Sequence, residues 1–382
     1  MRCWLTVRHI FQGSGSYTAV PPGERPVGPG TIGGTVPISR RAFTQAAAAA
    51  AASASLAGCA ATPHSGPDSG PGSAPAGVPP LAPALGPLTH VQTDVLDIAY
   101  YEAGPTDGPV VLCGHGWPYD IHSYTEVVPQ LVQHGYRVIV PYLRGNGPTT
   151  FLRKETFRSG EQAALGADVL GLLDALHIPK AILAGYDWGG RAMNVAAALW
   201  PERCAGLVSV NSYLIEDLDH ALRPDPPRTE SGHWYFFYFL SERGRAGLTQ
   251  NPKALARVVW TRNSPQWLFS EADLDRAAGT FDNPDYVDIV LHNYRHRLLA
   301  APGDPRYAPL QARLRELPPI AVPAVTLDGV ADGSIPATDG SASAKYFTGP
   351  RVHHQVPGAG HNLPQENPKA FADAVLEVAT LR

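Results

Sequence analysis

Short apolar runs alternate with longer helix-like segments along the last three-quarters of the chain. The apolar runs predict buried strands at residues 109–114, 181–184, 320–327 and 352–356. The Ala-rich stretch 191–199 predicts a helix directly after the second of these strands, and residues 368–381 predict a closing helix. Asp187, Asp332, His361 and the segment 115–118 each follow one of these predicted strands.

The turn between strand 181–184 and helix 191–199 is Gly185-Tyr186-Asp187-Trp188-Gly189-Gly190. Glycines on both sides of Asp187 permit a sharp strand-to-helix turn that makes one residue project from it. This arrangement is typical of a nucleophile elbow, in which the projecting residue is usually Ser. The sequence therefore predicts that Asp187 is a nucleophile.

An Asp in this position changes the expected chemistry. A carboxylate that attacks a saturated carbon leaves an ester, which water can cleave, whereas Ser would leave an ether. The carboxylate is already ionised at neutral pH, because its reference pKa is about 3.9. Asp187 therefore indicates alkyl transfer from a carbon–oxygen or carbon–halogen bond.

A base and an acid are expected later in the chain, in the order nucleophile, acid, base. His361 is the candidate base, because it follows Gly358-Ala359-Gly360 in a loop after the last predicted strand. Asp332 is the candidate acid after strand 320–327, with Asp328 as the alternative. The acid would fix the tautomer of the imidazole and stabilise its charged form.

Two backbone N–H groups are expected to form an oxyanion hole. One is that of Trp188, the residue after the nucleophile. The other is that of Trp117, in the segment His115-Gly116-Trp117-Pro118 after strand 109–114. His115 is expected to have a structural role beneath this loop.

Taken together and in order, these three motifs resemble the epoxide hydrolase and haloalkane dehalogenase branch of the α/β-hydrolase superfamily, over residues 89–382. The resemblance implies an α/β fold with a doubly wound, mostly parallel, eight-stranded sheet. It also implies a helical cap at residues 212–305, inserted into a core of residues 89–211 and 306–382. The substrate would be a small apolar epoxide or halogenated compound.

Epoxide hydrolases of this type use two cap tyrosines to protonate the epoxide oxygen. The resemblance places one at Tyr294, in His292-Asn293-Tyr294-Arg295, and the other at Tyr235, in the aromatic run 232–239. Tyr238 is the alternative to Tyr235, because three residues separate them and helical spacing would put them on one face.

Two other functions remain open from the sequence. A dehalogenase would use the same Asp-His-Asp set and hold the departing halide with Trp188. Some features, including Arg191, are similar to fluoroacetate dehalogenases, but those place the acid after strand six, where Asn211 stands and cannot serve. We expect Arg191 to be an ion-pair partner. A binding or scavenging protein without turnover is the third function, and the intact set of Asp187, Asp332 and His361 argues against it.

No cofactor or metal is predicted. His292 and His296 have the i, i+4 spacing of metal ligands, but the Glu of a zincin is missing. Neither a Gly-rich phosphate loop nor a basic run is present, so nucleotide and nucleic-acid binding have little support. Cys113 and Cys204 are expected to be buried free thiols.

Residues 1–58 predict an export signal. Ser39-Arg40-Arg41-Ala42-Phe43 resembles a twin-arginine core, and Leu56-Ala57-Gly58-Cys59 resembles a lipobox after an Ala-rich stretch. The resemblance implies cleavage before Cys59, lipidation of its thiol and a position on the extracytoplasmic face of a bacterial membrane. Initiation at Val36 instead of Met1 remains open.

Residues 59–88 are rich in Pro, Gly, Ser and Ala and predict a flexible tether. The whole chain has a net charge of −4, and residues 1–58 hold five arginines and one glutamate, so the remainder is more acidic. We therefore expect Cys59, and not surface charge, to provide membrane attachment.

Overall fold

The structure is a computed structural model that describes residues 85–382. The predicted signal, the lipidation site Cys59 and the tether up to residue 84 lie outside the described residues. Within residues 85–382, no helix combines the length and apolar character required to cross a bilayer.

One mixed sheet forms the centre of the described fold. Its strands are β1 Thr89–Gln92, β2 Leu96–Ala103, β3 Val110–Gly114, β4 Arg137–Pro141, β5 Thr150–Phe151, β6 Ala181–Gly185, β7 Cys204–Val210, β8 Ala324–Gly329 and β9 Arg351–Val356. The order is β1-β2-β4-β3-β6-β7-β8-β9, and the strands from β4 to β9 along this order are parallel. The sheet has one strand more than the eight predicted, because the two-residue β5 pairs with β2 outside the main order.

The strand predicted at 320–327 begins later and ends later than the sequence indicates. Ile320 forms only an isolated bridge with Phe347, and β8 starts at Ala324. Pro323 has no N–H to donate to a neighbouring strand, which explains why regular pairing starts after it. The strand continues through Asp328 to Gly329, so Asp328 lies within the sheet.

Helices cover both faces of this sheet. They are α1 Val127–Gln133, α2 Gln162–Ala175, α3 Asp187–Leu199, α10 Ala308–Arg315, α11 Leu363–Glu366 and α12 Pro368–Val378. Val111 of β3 packs in the same buried cluster as α1 and α12, whereas its neighbour Leu112 packs with α2 and α3. Successive strand residues therefore face opposite layers, as in a sheet that is buried on both sides.

Six further helices lie between β7 and α10, and we call residues 218–297 the inserted segment. They are α4 Pro227–Gly232, α5 Trp234–Tyr238, α6 Glu242–Gln250, α7 Pro252–Asn263, α8 Glu271–Ala278 and α9 Tyr286–Arg297. Several apolar residues of the inserted segment, including Phe239, Val259 and Ile289, are fully buried in one cluster with Trp117 and Trp188. The inserted segment thus packs over the ends of β3 and β6, where the site lies.

Candidate active site

Asp187 stands at a strained turn between β6 and α3. Its φ angle is +47°, in the left-handed region that non-glycine residues rarely adopt. Gly189 permits the turn, because a Cβ there would lie 2.1 Å from the carbonyl of Gly114. Gly116 permits the close approach of the Asp187 side chain, because a Cβ on residue 116 would lie 2.8 Å from Cβ of Asp187. The turn places the carboxylate at the end of the sheet, and the surrounding contacts maintain its strained backbone.

The loop after β3 fixes one oxygen of this carboxylate. The N–H of Trp117 donates to Asp187 Oδ2 at 2.8 Å. Trp188 makes no such bond within residues 85–382, but its N–H is in the first turn of α3 and lacks a helical partner. His115 lies beneath this loop, fully buried, where its Nε2 accepts from the Leu143 N–H and its Nδ1 bonds the Gly116 carbonyl.

His361 lies between two carboxylates. Its Nδ1 is 2.9 Å from Asp332 Oδ2, and its Nε2 is 4.0 Å from Asp187 Oδ1. Asp332 is fully buried and also accepts from the N–H groups of Ser334 and Ile335.

The structure distinguishes the two candidate acids. Asp328 accepts from the N–H and the hydroxyl of Thr338, and its nearest imidazole is that of His353, at 3.8 Å. Asp332 alone of the two contacts His361. Asn211, which follows β7, donates its amide N–H to Asp332 at 3.3 Å.

The charge state of His361 follows from these neighbours. Burial lowers the pKa of the imidazole, but the charge and hydrogen bond of Asp332 and the charge of Asp187 raise it more, to about 9. Because neutral pH lies below this pKa, His361 is an imidazolium at neutral pH.

Two residues at the end of α7 bond the loops that carry Asp332 and His361. The main-chain oxygen of Asn263 accepts from the Gly333 N–H at 2.9 Å and from the His361 N–H at 3.3 Å. Ser264 Oγ accepts from the His361 N–H at 3.1 Å and donates to Glu366. Glu366 in turn accepts from the Gly360 N–H at 2.7 Å. We call this set the α7 clamp.

The α7 clamp is the part of the site that sequence reasoning missed. Its members bond through main-chain atoms or through common polar side chains, and no motif marks them. The only sequence signal is Pro265 after Ser264, which is typical of a helix end but does not show what that end contacts.

Tyr235 and Tyr294 lie together above Asp187. The Tyr235 ring is 5.5 Å from that of Trp117 and 5.4 Å from that of Tyr294, which is 5.8 Å from Trp188. Both tyrosines are almost fully buried. Burial and the charge of Asp187 raise the pKa of Tyr235, while hydrogen bonds with Asn263 and Tyr294 lower it. Burial also raises the pKa of Tyr294, and a hydrogen bond with Trp188 lowers it.

Tyr238 lies elsewhere. It is half-buried against Trp234 and Phe239, and its hydroxyl covers Gly247, where a Cβ would lie 1.9 Å from the oxygen. Of the two candidates on α5, only Tyr235 contacts Trp117 and Tyr294.

The other singled-out residues have structural partners. Arg191 is buried, donates to the Leu214 carbonyl at 2.6 Å and lies 3.2 Å from Glu216. His292 uses both ring nitrogens, one accepting from the Gly160 N–H and the other bonding the Pro302 carbonyl.

Cys113 and Cys204 are buried free thiols. Within residues 85–382, no group of three or more His, Cys, Asp or Glu side chains is arranged to hold a metal ion.

Comparison with known proteins agrees with this architecture. Epoxide hydrolase A of Mycobacterium tuberculosis is 26% identical over 326 residues, which cover 76% of this chain and 96% of that protein. A solved structure of a candidate epoxide hydrolase from Klebsiella pneumoniae is 47% identical, with a TM-score of 0.75 over 77% of this chain and 97% of the other. The solved epoxide hydrolase A of Mycobacterium thermoresistibile, 24% identical, shares the fold with a TM-score of 0.62 and covers 78% of this chain and 99% of its own. The family described as alpha/beta hydrolase fold matches residues 109–368, and the chain belongs to that family.

Proposed function

We propose that this enzyme hydrolyses epoxides to diols through an ester on Asp187. The observation that carries the proposal is the position of His361, which contacts Asp332 through one nitrogen and faces Asp187 with the other, below two buried tyrosines. The similarity to proteins named epoxide hydrolase supports the same substrate class.

In the first step, Asp187 opens the ring. The Trp117 N–H holds Oδ2 and leaves Oδ1 to attack a ring carbon. As the carbon–oxygen bond breaks, Tyr235 or Tyr294 donates its proton to the departing oxygen. Since burial raises the pKa of Tyr235 above its ordinary value, the tyrosinate recovers a proton from the His361 imidazolium, whose pKa is about 9.

In the second step, His361 acts as a base. Formation of the ester removes the charge of Asp187, which is one of the causes of the raised pKa of His361. The neutral imidazole then takes a proton from water, whose oxygen attacks the ester carbonyl. The N–H groups of Trp117 and Trp188 stabilise the oxyanion, and Asp332 stabilises the returning imidazolium.

A single turnover in ¹⁸O-labelled water tests this route. With enzyme in excess over an epoxide from a small panel, we expect one labelled oxygen in the peptide that contains Asp187, because water attacks the carboxyl carbon. The diol should carry the unlabelled oxygen that Asp187 supplied. Label in the diol and none in the peptide would show direct attack of water on the epoxide and would contradict the proposal.

The dehalogenase alternative has less support. A departing halide needs N–H donors, and the indole of Trp117, beside Asp187, is already engaged. Trp117 Nε1 donates to the Tyr286 hydroxyl at 2.9 Å. A binding protein without turnover would not need the contact between Asp332 and His361.

We also propose that the enzyme is exported by the twin-arginine route and anchored through a lipid on Cys59, as the motifs around Arg40-Arg41 and Cys59 indicate. Two acyl chains hold a protein firmly on a membrane, whereas a single chain gives only marginal binding. In a bacterial host with both export and lipidation systems, we expect wild type in the membrane fraction and Cys59→Ala without lipid. Arg40→Lys with Arg41→Lys should leave precursor in the cytoplasm. Mature wild-type enzyme in the soluble fraction with an unmodified Cys59 would contradict the anchor.

A further inference from the structure

We propose that Asn263 is a catalytic residue of the second step, whose side-chain oxygen accepts a hydrogen bond from the water that His361 activates. This inference rests on the proposed function and adds to it a residue that the sequence motifs do not indicate.

The position of Asn263 is fixed beside the base. It is the last residue of α7 and is 1% exposed. Its main-chain oxygen bonds the N–H of His361, and the same oxygen bonds Gly333, the residue after the acid Asp332. The main chain of Asn263 therefore contacts both the loop of His361 and the loop of Asp332.

The amide of Asn263 has one engaged side and one unpartnered side. The Asn263 side chain lies close enough to Tyr235 for a hydrogen bond between them to lower the pKa of the phenol, against the larger effect of burial. Its Oδ1 is buried and has no partner among the described residues. A buried amide oxygen without a partner costs about 1–3 kcal/mol. A hydrogen bond from a reactant water to Oδ1 would remove this cost.

A second unpartnered group lies within the influence of the two carboxylates. The Tyr119 hydroxyl is buried without a partner among residues 85–382, and the charges of Asp187 and Asp332 act on it. The Tyr119 ring stacks on Trp260 of α7 at 5.2 Å, which fixes it next to the helix that carries Asn263. A buried water usually has two to four polar partners. The proposal assigns three partners to this water, which are His361 Nε2, Asn263 Oδ1 and the Tyr119 hydroxyl.

The chemistry of hydrolysis requires such an acceptor. Water gives one proton to His361 Nε2 while its oxygen bonds to Cγ of Asp187. Its second O–H points to Asn263 Oδ1, which aims an oxygen lone pair at the ester carbon. The ester bond to the alkyl oxygen then breaks, and the second proton passes to that oxygen. The products are the diol, the Asp187 carboxylate and the His361 imidazolium.

Rapid-quench single turnovers with mass spectrometry of the Asp187 peptide separate the formation of the ester from its decay. Asn263→Leu keeps the shape of the side chain and the main-chain oxygen that bonds Gly333 and His361, but it lacks the acceptor. We expect the decay of the ester to slow about tenfold or more, which corresponds to about 1.4 kcal/mol. Loss of the Tyr235 contact affects only the formation step, which is measured separately. Asn263→Ala is the substitute if the Leu variant does not fold.

Two comparisons distinguish catalysis from a structural role. In a His361→Gln background the base is absent, so Asn263→Leu should slow ester decay less than about threefold further, because residues that act as a unit are not additive. Asn146→Leu is the matched control, because Asn146 is also buried with an unpartnered Oδ1 and its amide N–H bonds the Arg144 carbonyl. That variant should keep the ester decay of wild type.

These measurements test the role of Asn263 and the Asp187 route separately. Unchanged ester decay in Asn263→Leu, or the same slowing with and without His361, would overturn the role of Asn263 and leave the Asp187 route intact. Absence of any ester in wild type and in every variant would overturn both.

Discussion

His361→Gln is expected to stop the cycle after ring opening and to leave the alkyl group of the substrate on Asp187. The nucleophile needs no base to attack, whereas the ester needs an activated water. Turnover should fall by roughly 10³-fold, within the usual range for general base catalysis. Mass spectrometry of the intact protein after mixing with an epoxide should show one added substrate mass, located at Asp187 by peptide analysis.

A second histidine provides the control for this variant. His354 is exposed on β9 and bonds Glu377 at 2.7 Å, away from the site, so His354→Gln should turn over normally and show no adduct. An adduct on a residue other than Asp187, or none in His361→Gln while the substrate still binds, would remove Asp187 from the role of nucleophile.

Tyr294→Phe is expected to slow ester formation by about 10²-fold, because the departing oxygen loses a proton donor. The ring and its packing against Trp117 and Tyr235 are retained, so a loss reports on the hydroxyl. Rapid-quench measurement of the Asp187 ester gives this rate directly. The decay of an ester once formed should change little, because the tyrosine does not contact the His361–Asp332 pair.

Tyr238→Phe is the matched control, since it makes the same change on α5 at a hydroxyl that lies over Gly247. It should leave ester formation unchanged. Equal slowing in both variants would indicate a structural effect. Halide release from a haloalkane provides a second comparison. If Tyr294→Phe slows this release as much as it slows epoxide opening, the dehalogenase alternative is favoured.

Much of the site could be predicted because its chemistry is carried by short motifs in a fixed order. Glycines 185, 189 and 190 mark the turn around Asp187 in the sequence itself, and the structure places Asp187 there with a positive φ. Asp332 and His361 follow predicted strands, and parallel strands bring their carboxyl ends to one edge of a sheet. Their contact at 2.9 Å agrees with that expectation.

The remaining features depend on tertiary packing. Three-residue spacing places Tyr235 and Tyr238 on one helix face, but α5 has only five residues and the two hydroxyls lie in different surroundings. The β5 pairing involves only two residues, too few to give a periodic signal. The α7 clamp uses main-chain oxygen and serine, whose partners are distant in the sequence.

The α7 clamp has a consequence for attempts to change what the enzyme accepts. The inserted segment lines the approach to Asp187, and exchanging it for that of a relative is an obvious way to redesign selectivity. Asn263 and Ser264 belong to that segment, yet they hold His361 and the loop of Asp332 in the core. A transplanted segment that ends α7 differently would introduce a new pocket but would also displace His361. The end of α7 and the loops of Asp332 and His361 must therefore be exchanged as one unit.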